Sequence, residues 1–375
     1  MSKLSKISLR KNFCKFDYIL LFAVLALVGI GVLFVYSASN YSAQNDFGNP
    51  YYFVIKQAVG AFLGLIAMIA AFFIDVEKLK KVALPLLIVS FVMLGLVFVP
   101  KIGVENYGAK RWINLYFFTF QPSEIAKFAY VLFCAWYVSL PKVDMNKFKY
   151  SLPIFGIGLI GCVLIILEPN MSITVCFGLL MLVLAYVGGT NFKTMLLIIL
   201  PLAVVFPLLI IMEPYRMERL LAFIDPWKSP KDEGYQLIQS LYALGSGGWF
   251  GVGLFNSRQK LEFLPFAESD FIFSIIGEEL GLFGALIVTL LFFVIIYHGV
   301  RLAINAETKY KSMLASGISA VIALQTLINL AVVTGSIPPT GLPLPFISYG
   351  GTSLVMFMFA AGVLLNLSKT PHNTI

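Results

Sequence analysis

Charge is scarce in this sequence. Of 375 residues only 12% are Asp, Glu, Lys or Arg, about half the share found in soluble domains. So few polar groups cannot cover the core of a water-soluble fold of this size. Histidine numbers two, His298 and His372, too few and too far apart for a zinc centre. The four cysteines, Cys14, Cys134, Cys162 and Cys176, lie in or beside apolar segments without a C-x-x-C pair. They read as small core residues rather than a disulfide framework or metal site. No cleavable signal is evident, because the basic start (Lys3, Lys6, Arg10, Lys11, Lys15) leads into an apolar run without a small-residue cleavage pattern.

What is abundant is apolar: 59% of residues, with 34 Phe and 17 Tyr. Runs approaching the roughly 20 residues of a membrane-crossing helix occur at Tyr18–Tyr36, Gln57–Ile74, Val82–Val99, Ile125–Leu140 and Ser151–Leu167. They continue at Ile173–Val187, Met195–Met212, Phe271–Tyr297, Met313–Val333 and Thr352–Leu367, the sixth and tenth being the weakest. The expected fold is an all-α polytopic membrane protein of about ten transmembrane helices, forming one domain over 1–375.

The net charge of +8 is placed to set topology and meet anionic lipid, and no nucleic-acid partner is expected. Lys and Arg concentrate in the N-terminal tail, Lys78–Lys81, Lys142–Lys149 and Arg301–Lys311, with Lys193 and Lys369. Both termini, the tails 1–17 and 368–375, are therefore expected in the cytoplasm, and the long segment 213–270 outside. No internal repeat is detectable, which counts against an inverted-repeat transporter.

The outer cations break the trend. Lys101, Lys110 and Arg111 share one loop, and Arg216, Arg219, Lys228, Lys231, Arg258 and Lys260 share Glu213–Asp270. They are either solvated charge on long loops or a basin for an anionic headgroup, and two loops of one sign favour the basin. The longer loop is rich in glycine, with Gly245-Ser246-Gly247-Gly248, Gly251 and Gly253, which lets backbone approach a ligand. It ends at Asp270, which can cap the eighth helix or act as a general base. Glu278 and Glu279 follow in the same helix, where carboxylates are functional or paired, and Glu278 can share a cavity with Asp270. In Gln121-Pro122-Ser123-Glu124 with Lys127, the Glu–Lys spacing gives a helical salt bridge, or the Lys meets a phosphate. Four prolines between Ile337 and Ser353 forbid regular helix and predict an apolar loop tucked back into the protein. Gln325 and Asn329 share a face and are expected to bond a neighbouring helix.

These segments together resemble the SEDS family (shape, elongation, division and sporulation; FtsW/RodA/SpoVE type). The resemblance rests on Tyr36-Ser37-Ala38-Ser39, Gly108-Ala109-Lys110-Arg111-Trp112-Ile113, Gln121-Pro122-Ser123-Glu124, Asp225-Pro226-Trp227 and Gly234-Tyr235-Gln236. It continues through Gln239-Ser240, Gly245-Ser246-Gly247-Gly248, Asp270-Phe271-Ile272-Phe273, Gly277-Glu278-Glu279-Leu280-Gly281 and Leu344-Pro345-Phe346-Ile347-Ser348-Tyr349-Gly350-Gly351. Of these, Lys110-Arg111 with Tyr36-Ser37-Ala38-Ser39 looks more like the FtsW and SpoVE branch than the RodA elongation branch. The stretch Leu264-Pro265-Phe266-Ala267-Glu268-Ser269-Asp270 departs from the family pattern, lacking its His and placing its Glu differently.

The resemblance implies a peptidoglycan glycosyltransferase of the bacterial plasma membrane that polymerises lipid II on the extracytoplasmic side. It implies partnership with a class B penicillin-binding protein and other divisome or elongasome membrane proteins. Asp270, Glu124 and Lys127 match the family's catalytic positions, and Ser348 its last-loop serine. In such a reaction a base takes the proton of an attacking hydroxyl and cations stabilise the leaving pyrophosphate. Lys127, oriented by Glu124, joins Lys110, Arg111, Arg216 and Arg219 as candidates for the pyrophosphate. Gln121, Ser123, Glu278, Tyr349, Gly350 and Gly351 are further candidate substrate contacts. A divalent ion (Mg or Mn) could assist, although no clean ligand set is visible. The alternative is a lipid II flippase, disfavoured because the polar groups reach the outer halves of the helices more than the inner halves.

Overall fold

The computed structural model describes residues 16–100, 102–106, 109–114 and 119–369. The tail lysines and Arg10 of residues 1–15, Cys14, Lys101, Gly108 and His372 lie outside the described residues, as do most of the two expected tails.

Among the described residues are twelve α-helices. α1 (Tyr18–Phe47) starts where the Asp17 carboxylate accepts the Ile19 and Leu20 N–H groups. It ends at Gly48, whose φ of 67° suits a residue without Cβ. α2 (Tyr52–Phe73), α3 (Val76–Leu96), α4 (Pro122–Val138), α5 (Phe148–Leu167), α6 (Met171–Val187) and α7 (Phe192–Ile211) follow. Asp75, Asn170 and Asn191 cap α3, α6 and α7. Pro122 opens α4 where a missing N–H costs nothing. After α8 (Pro214–Ile224) and α9 (Tyr235–Gly247) come α10 (Ile272–Ile304), α11 (Lys309–Val333) and α12 (Gly351–Leu367).

Each of the ten apolar runs falls on its own helix. Seven helices (α1, α2, α3, α5, α7, α10 and α11) are long and apolar enough to cross a membrane, while α4, α6 and α12 have 17 residues each. The protein is a mainly helical, polytopic membrane protein.

Two long connections are more ordered than their sequences suggest. Segment 213–270, expected as a loop, contains α8, a 3-10 turn at Pro226–Lys228, and α9. Between α3 and α4 lies a three-stranded antiparallel sheet of β1 (Gly103–Asn106), β2 (Ala109–Asn114) and β3 (Thr119–Phe120), in that order. Strands this short carry too little alternation to register as a period.

α10 breaks at Gly281 (φ 67°, ψ −167°). The stretch after α9 takes up the main-chain groups freed there. Leu282 and Phe283 N–H donate to Gly248 and Trp249 C=O, and Val252 and Gly253 N–H donate to Glu278 and Glu279 C=O. The approach leaves no room for a side chain, since a Cβ on Gly251 would lie 2.1 Å from the Glu279 oxygen.

The helix connections gather at two ends. At one end Tyr349 N–H donates to Glu268 C=O at 2.9 Å, Arg111 reaches the Pro169 carbonyl at 2.5 Å and Asn45 reaches Glu262 at 2.7 Å. At the other, His298 pairs with Asp17, Ser368 accepts the Asp17 N–H at 3.0 Å and Asn366 donates to Phe72 C=O at 2.8 Å. Small residues let helices close in between. A Cβ on Gly362 of α12 would meet the Met68 carbonyl of α2 at 2.3 Å, and one on Gly317 of α11 would meet Val131 of α4 at 2.4 Å, the close approach typical of helices packed in lipid.

Candidate active site

The first of these ends encloses a cleft of about 2760 Å³. Its polar centre is Asp270, half-buried just before α10. Asp270 does not cap that helix, because the N-cap residue is Phe271 and no side chain caps there. Its Oδ1 instead accepts the Ser269 hydroxyl at 3.0 Å. Burial pushes the Asp270 carboxyl up to about 6, with the Ser269 hydroxyl, Arg219 and Arg111 pulling the other way.

Four of the outer cations line the cleft: Arg111 from β2, Arg216 and Arg219 from α8, and Lys260, which is paired with Glu279 at 3.1 Å. Arg111 is held by the Glu168 and Pro169 carbonyls at 3.4 and 2.5 Å, and Arg216 by the Leu209 carbonyl at 2.8 Å. Arg219 sits 3.4 Å from Glu233 and over the Tyr215 ring. Lys110, on the same strand as Arg111, is exposed and is not part of this lining. Glu268, beside Asp270, is raised by burial and by the charges of Asp270 and Asp46.

The α4 motif divides. Gln121 and Glu124 line the cleft, whereas Ser123 and Lys127 are enclosed. Lys127 is 0% exposed. It pairs with Glu124 at 2.8 Å and donates to Gln325 Oε1, and Glu124 also accepts from Ser353 at 3.1 Å. Of the two readings offered by the sequence, the salt bridge is the one formed. Lys127 does not line the cleft, and its ammonium is engaged by Glu124 and Gln325. Gln325 passes the connection on to the Pro343 carbonyl at 2.9 Å, so the pair braces the last loop.

Glu278 does not line the cleft that holds Asp270. Glu278 accepts from the Ser257 hydroxyl at 2.5 Å and the Arg258 N–H at 2.9 Å. Glu279 accepts from Ser37 at 2.6 Å and Lys260 at 3.1 Å. Both carboxylates pin the segment that leads to Asp270. Ser348 is likewise turned inward, accepting from Leu344 N–H at 2.7 Å and donating to the Ser269 carbonyl at 2.5 Å. Tyr349, Gly350 and Gly351 do line the cleft. As expected, the proline-rich loop tucks back, its Leu342, Leu344, Phe346 and Ile347 almost fully buried.

Three residues that the sequence reading left out of the site take part in it. Gln57 donates to the Ser348 carbonyl at 3.1 Å. Asn329, expected to bond a helix, instead holds the Asp270 and Leu342 carbonyls. Glu168 is 0% exposed, has no hydrogen-bond partner for either oxygen among the described residues, and is pushed up by burial to about 8. Its signal in the sequence is a lone carboxylate between two apolar runs. No group of three or more His, Cys, Asp or Glu side chains is placed to hold a metal among the described residues.

The cleft continues sideways into apolar walls. One is formed by Val59, Leu63 and Ile66 of α2 with Met356 of α12, the other by Leu179 of α6 and Phe206 of α7 with Leu327 of α11. A carboxylate, three arginines and apolar furrows in one space suit a molecule with a sugar, a phosphate and a hydrocarbon chain.

The family model for FtsW, RodA and SpoVE, described as a cell cycle protein, matches residues 18–373. The probable peptidoglycan glycosyltransferase FtsW of Geobacter sulfurreducens is 38% identical over 360 residues, 96% of either chain. The stage V sporulation protein E of Bacillus subtilis is 38% identical over 355 residues, 94% of this chain and 97% of that one. Among solved structures, a chain from work on the structural coordination of polymerization and crosslinking by a peptidoglycan synthase complex aligns with a TM-score of 0.77. It is 28% identical and covers 94% of this chain and 97% of its own. The rod shape determining protein RodA of Thermus thermophilus aligns with a TM-score of 0.71 at 25% identity, covering 97% and 100%. By sequence along nearly its whole length, and by fold, the chain belongs to the FtsW/RodA/SpoVE family of cell cycle proteins.

Proposed function

We propose that the protein is a peptidoglycan glycosyltransferase that polymerises lipid II, with Asp270 as general base. The observation that carries this reading is the half-buried Asp270 carboxyl, raised to about 6, opening into a cleft shared with Arg111, Arg216 and Arg219. A base near this value is charged at neutral pH yet still basic enough to take a proton in the transition state. A sugar hydroxyl gives its proton to Asp270 while its oxygen bonds to the anomeric carbon of a second, lipid-linked sugar. The bond from that carbon to the pyrophosphate oxygen breaks, and the electron pair leaves with the pyrophosphate. The arginines stabilise that developing charge, which is worth most where water is excluded. The apolar furrows accept the lipid chains.

The cleft faces the extracytoplasmic side of a bacterial plasma membrane, a reading supported by the basic residues of the opposite end. The protein acts as one domain over 1–375 with a class B penicillin-binding protein as its transpeptidase, supported by the relative solved as part of a complex that polymerises and crosslinks. The 38% identities to FtsW and SpoVE chains, against 25% to a RodA chain, support division or sporulation over elongation. The test is polymerisation of purified lipid II by the purified protein, alone and with its transpeptidase, beside Asp270→Asn. A folded Asp270→Asn variant that binds lipid II should lose about 10²–10⁴-fold in rate. One within a few-fold of wild type removes the base.

A further inference from the structure

We infer that Gly341 and Thr340 form the subsite where the attacking sugar meets Asp270, Gly341 by keeping the space before Oδ2 open and Thr340 by offering a hydroxyl. This rests on Asp270 being the base. The two oxygens of that carboxylate are not equivalent. Oδ1 is occupied by the Ser269 hydroxyl, whereas Oδ2 accepts no hydrogen bond among the described residues and faces Gly341. A Cβ on residue 341 would stand 3.2 Å from Oδ2, in the space an incoming hydroxyl must cross.

Nothing else about position 341 requires glycine. Its φ is not among the positive values found along the chain, so the backbone would accept alanine. Nor can the loop retreat to make room. Gly341 N–H donates to Ser172 Oγ at 3.3 Å, Asn329 holds the Leu342 carbonyl at 2.8 Å and Gln325 holds the Pro343 carbonyl at 2.9 Å. The missing side chain is therefore explained by what lies in front of it. Next to it, Thr340 lines the cleft, and its hydroxyl is enclosed without a partner among the described residues. Enclosed hydroxyls are almost always bonded, and one step about χ1 exchanges this hydroxyl with the methyl group, bringing it to the ligand. The incoming hydroxyl then gives its proton to Oδ2 as its oxygen joins the anomeric carbon and the pyrophosphate departs with the bonding pair.

The experiment measures lipid II polymerisation from pH 5 to 9 and thermal unfolding for the purified full chain and four variants. Gly341→Ala should unfold with wild type but turn over on the order of tenfold more slowly or worse. Its acidic limb should move to higher pH, because the methyl displaces water from the carboxylate. Thr340→Val should lower kcat/KM several-fold without moving the limb, and Thr340→Ser should restore it. A folded Gly341→Ala variant within about twofold of wild type, with an unmoved limb, overturns the inference. Should Gly341→Ala unfold early, Thr340→Val decides: wild-type kcat/KM overturns the inference, and loss restored by Thr340→Ser upholds it. An active Asp270→Asn removes the base itself, whereas an active Gly341→Ala beside an inactive Asp270→Asn removes only this subsite.

Discussion

The side-chain amide of Asn329 lies 2.8 Å from the Asp270 carbonyl and 2.8 Å from the Leu342 carbonyl, so one group on α11 holds the segment before α10 and the last loop together. Asn329→Leu keeps the size but leaves the buried Leu342 carbonyl unpaired, at about 1–3 kcal/mol, and frees the part-buried Asp270 carbonyl. The expected outcome is a lower unfolding temperature and a loss of polymerisation per folded molecule. Unchanged melting and turnover would show that the two segments hold their places without it.

With Asp270 as the proposed base, polymerisation should fall as pH drops through about 6, the value to which burial raises its carboxyl. The nearby Arg219 pulls the other way, so Arg219→Met should shift the limb to higher pH. Initial rates from pH 5 to 8 for the two proteins check the direction. A shift to lower pH would contradict the assignment.

Glu124 and Lys127 are buried together at 1% and 0% exposure. Removing one partner strands a charge, which costs roughly 3–5 kcal/mol. Lys127→Met should therefore melt well below wild type, and the double variant Lys127→Met/Glu124→Gln should recover part of the loss. Thermal unfolding of the single and double variants separates this coupling from two independent effects.

Glu168 carries a linked pH dependence of stability. Burial raises its carboxyl from 4.5 to about 8, so the folded protein holds a proton that the unfolded chain releases. Stability from this group is full below pH 4.5 and declines, by roughly 1.4 kcal/mol per pH unit, until about pH 8. Glu168→Gln removes that decline. Its melting temperature should exceed that of wild type at pH 8 and match it near pH 4.

Sidedness is tested by cysteine labelling of intact cells. Ser229 lies in the segment between α8 and α9, and Ser312 near the start of α11. A cysteine at 229 should react with an impermeant reagent, and one at 312 only after the membrane is opened. The reverse pattern would place the cleft in the cytoplasm.

Much of the architecture could be read from the sequence because an apolar run long enough to cross lipid has few other solutions. α8 and α9 could not, since they are short and interrupted by Gly and Pro, and β1 to β3 are shorter still. In the site, Asp270 was legible from its position and its family resemblance, and Arg111, Arg216 and Arg219 from their sign. The roles of Glu278, Glu279 and Asn329 were not legible. Glu279 meets Ser37 across 242 positions of chain, and Asn329 meets Asp270 across 59. Such partners are set by how helices pack, which periodicity within one helix does not report.

The break at Gly281 changes how α10 is counted against the bilayer. As an unbroken rod its 33 residues would run to about 50 Å, far beyond the roughly 30 Å of hydrocarbon. Split at Gly281, the part from Leu282 to Ile304 measures about 34 Å and fits with little tilt. The turns before the break need not span hydrocarbon, and there Glu278 and Glu279 meet donors supplied by their own chain, Ser257 and Arg258 for the first and Ser37 and Lys260 for the second.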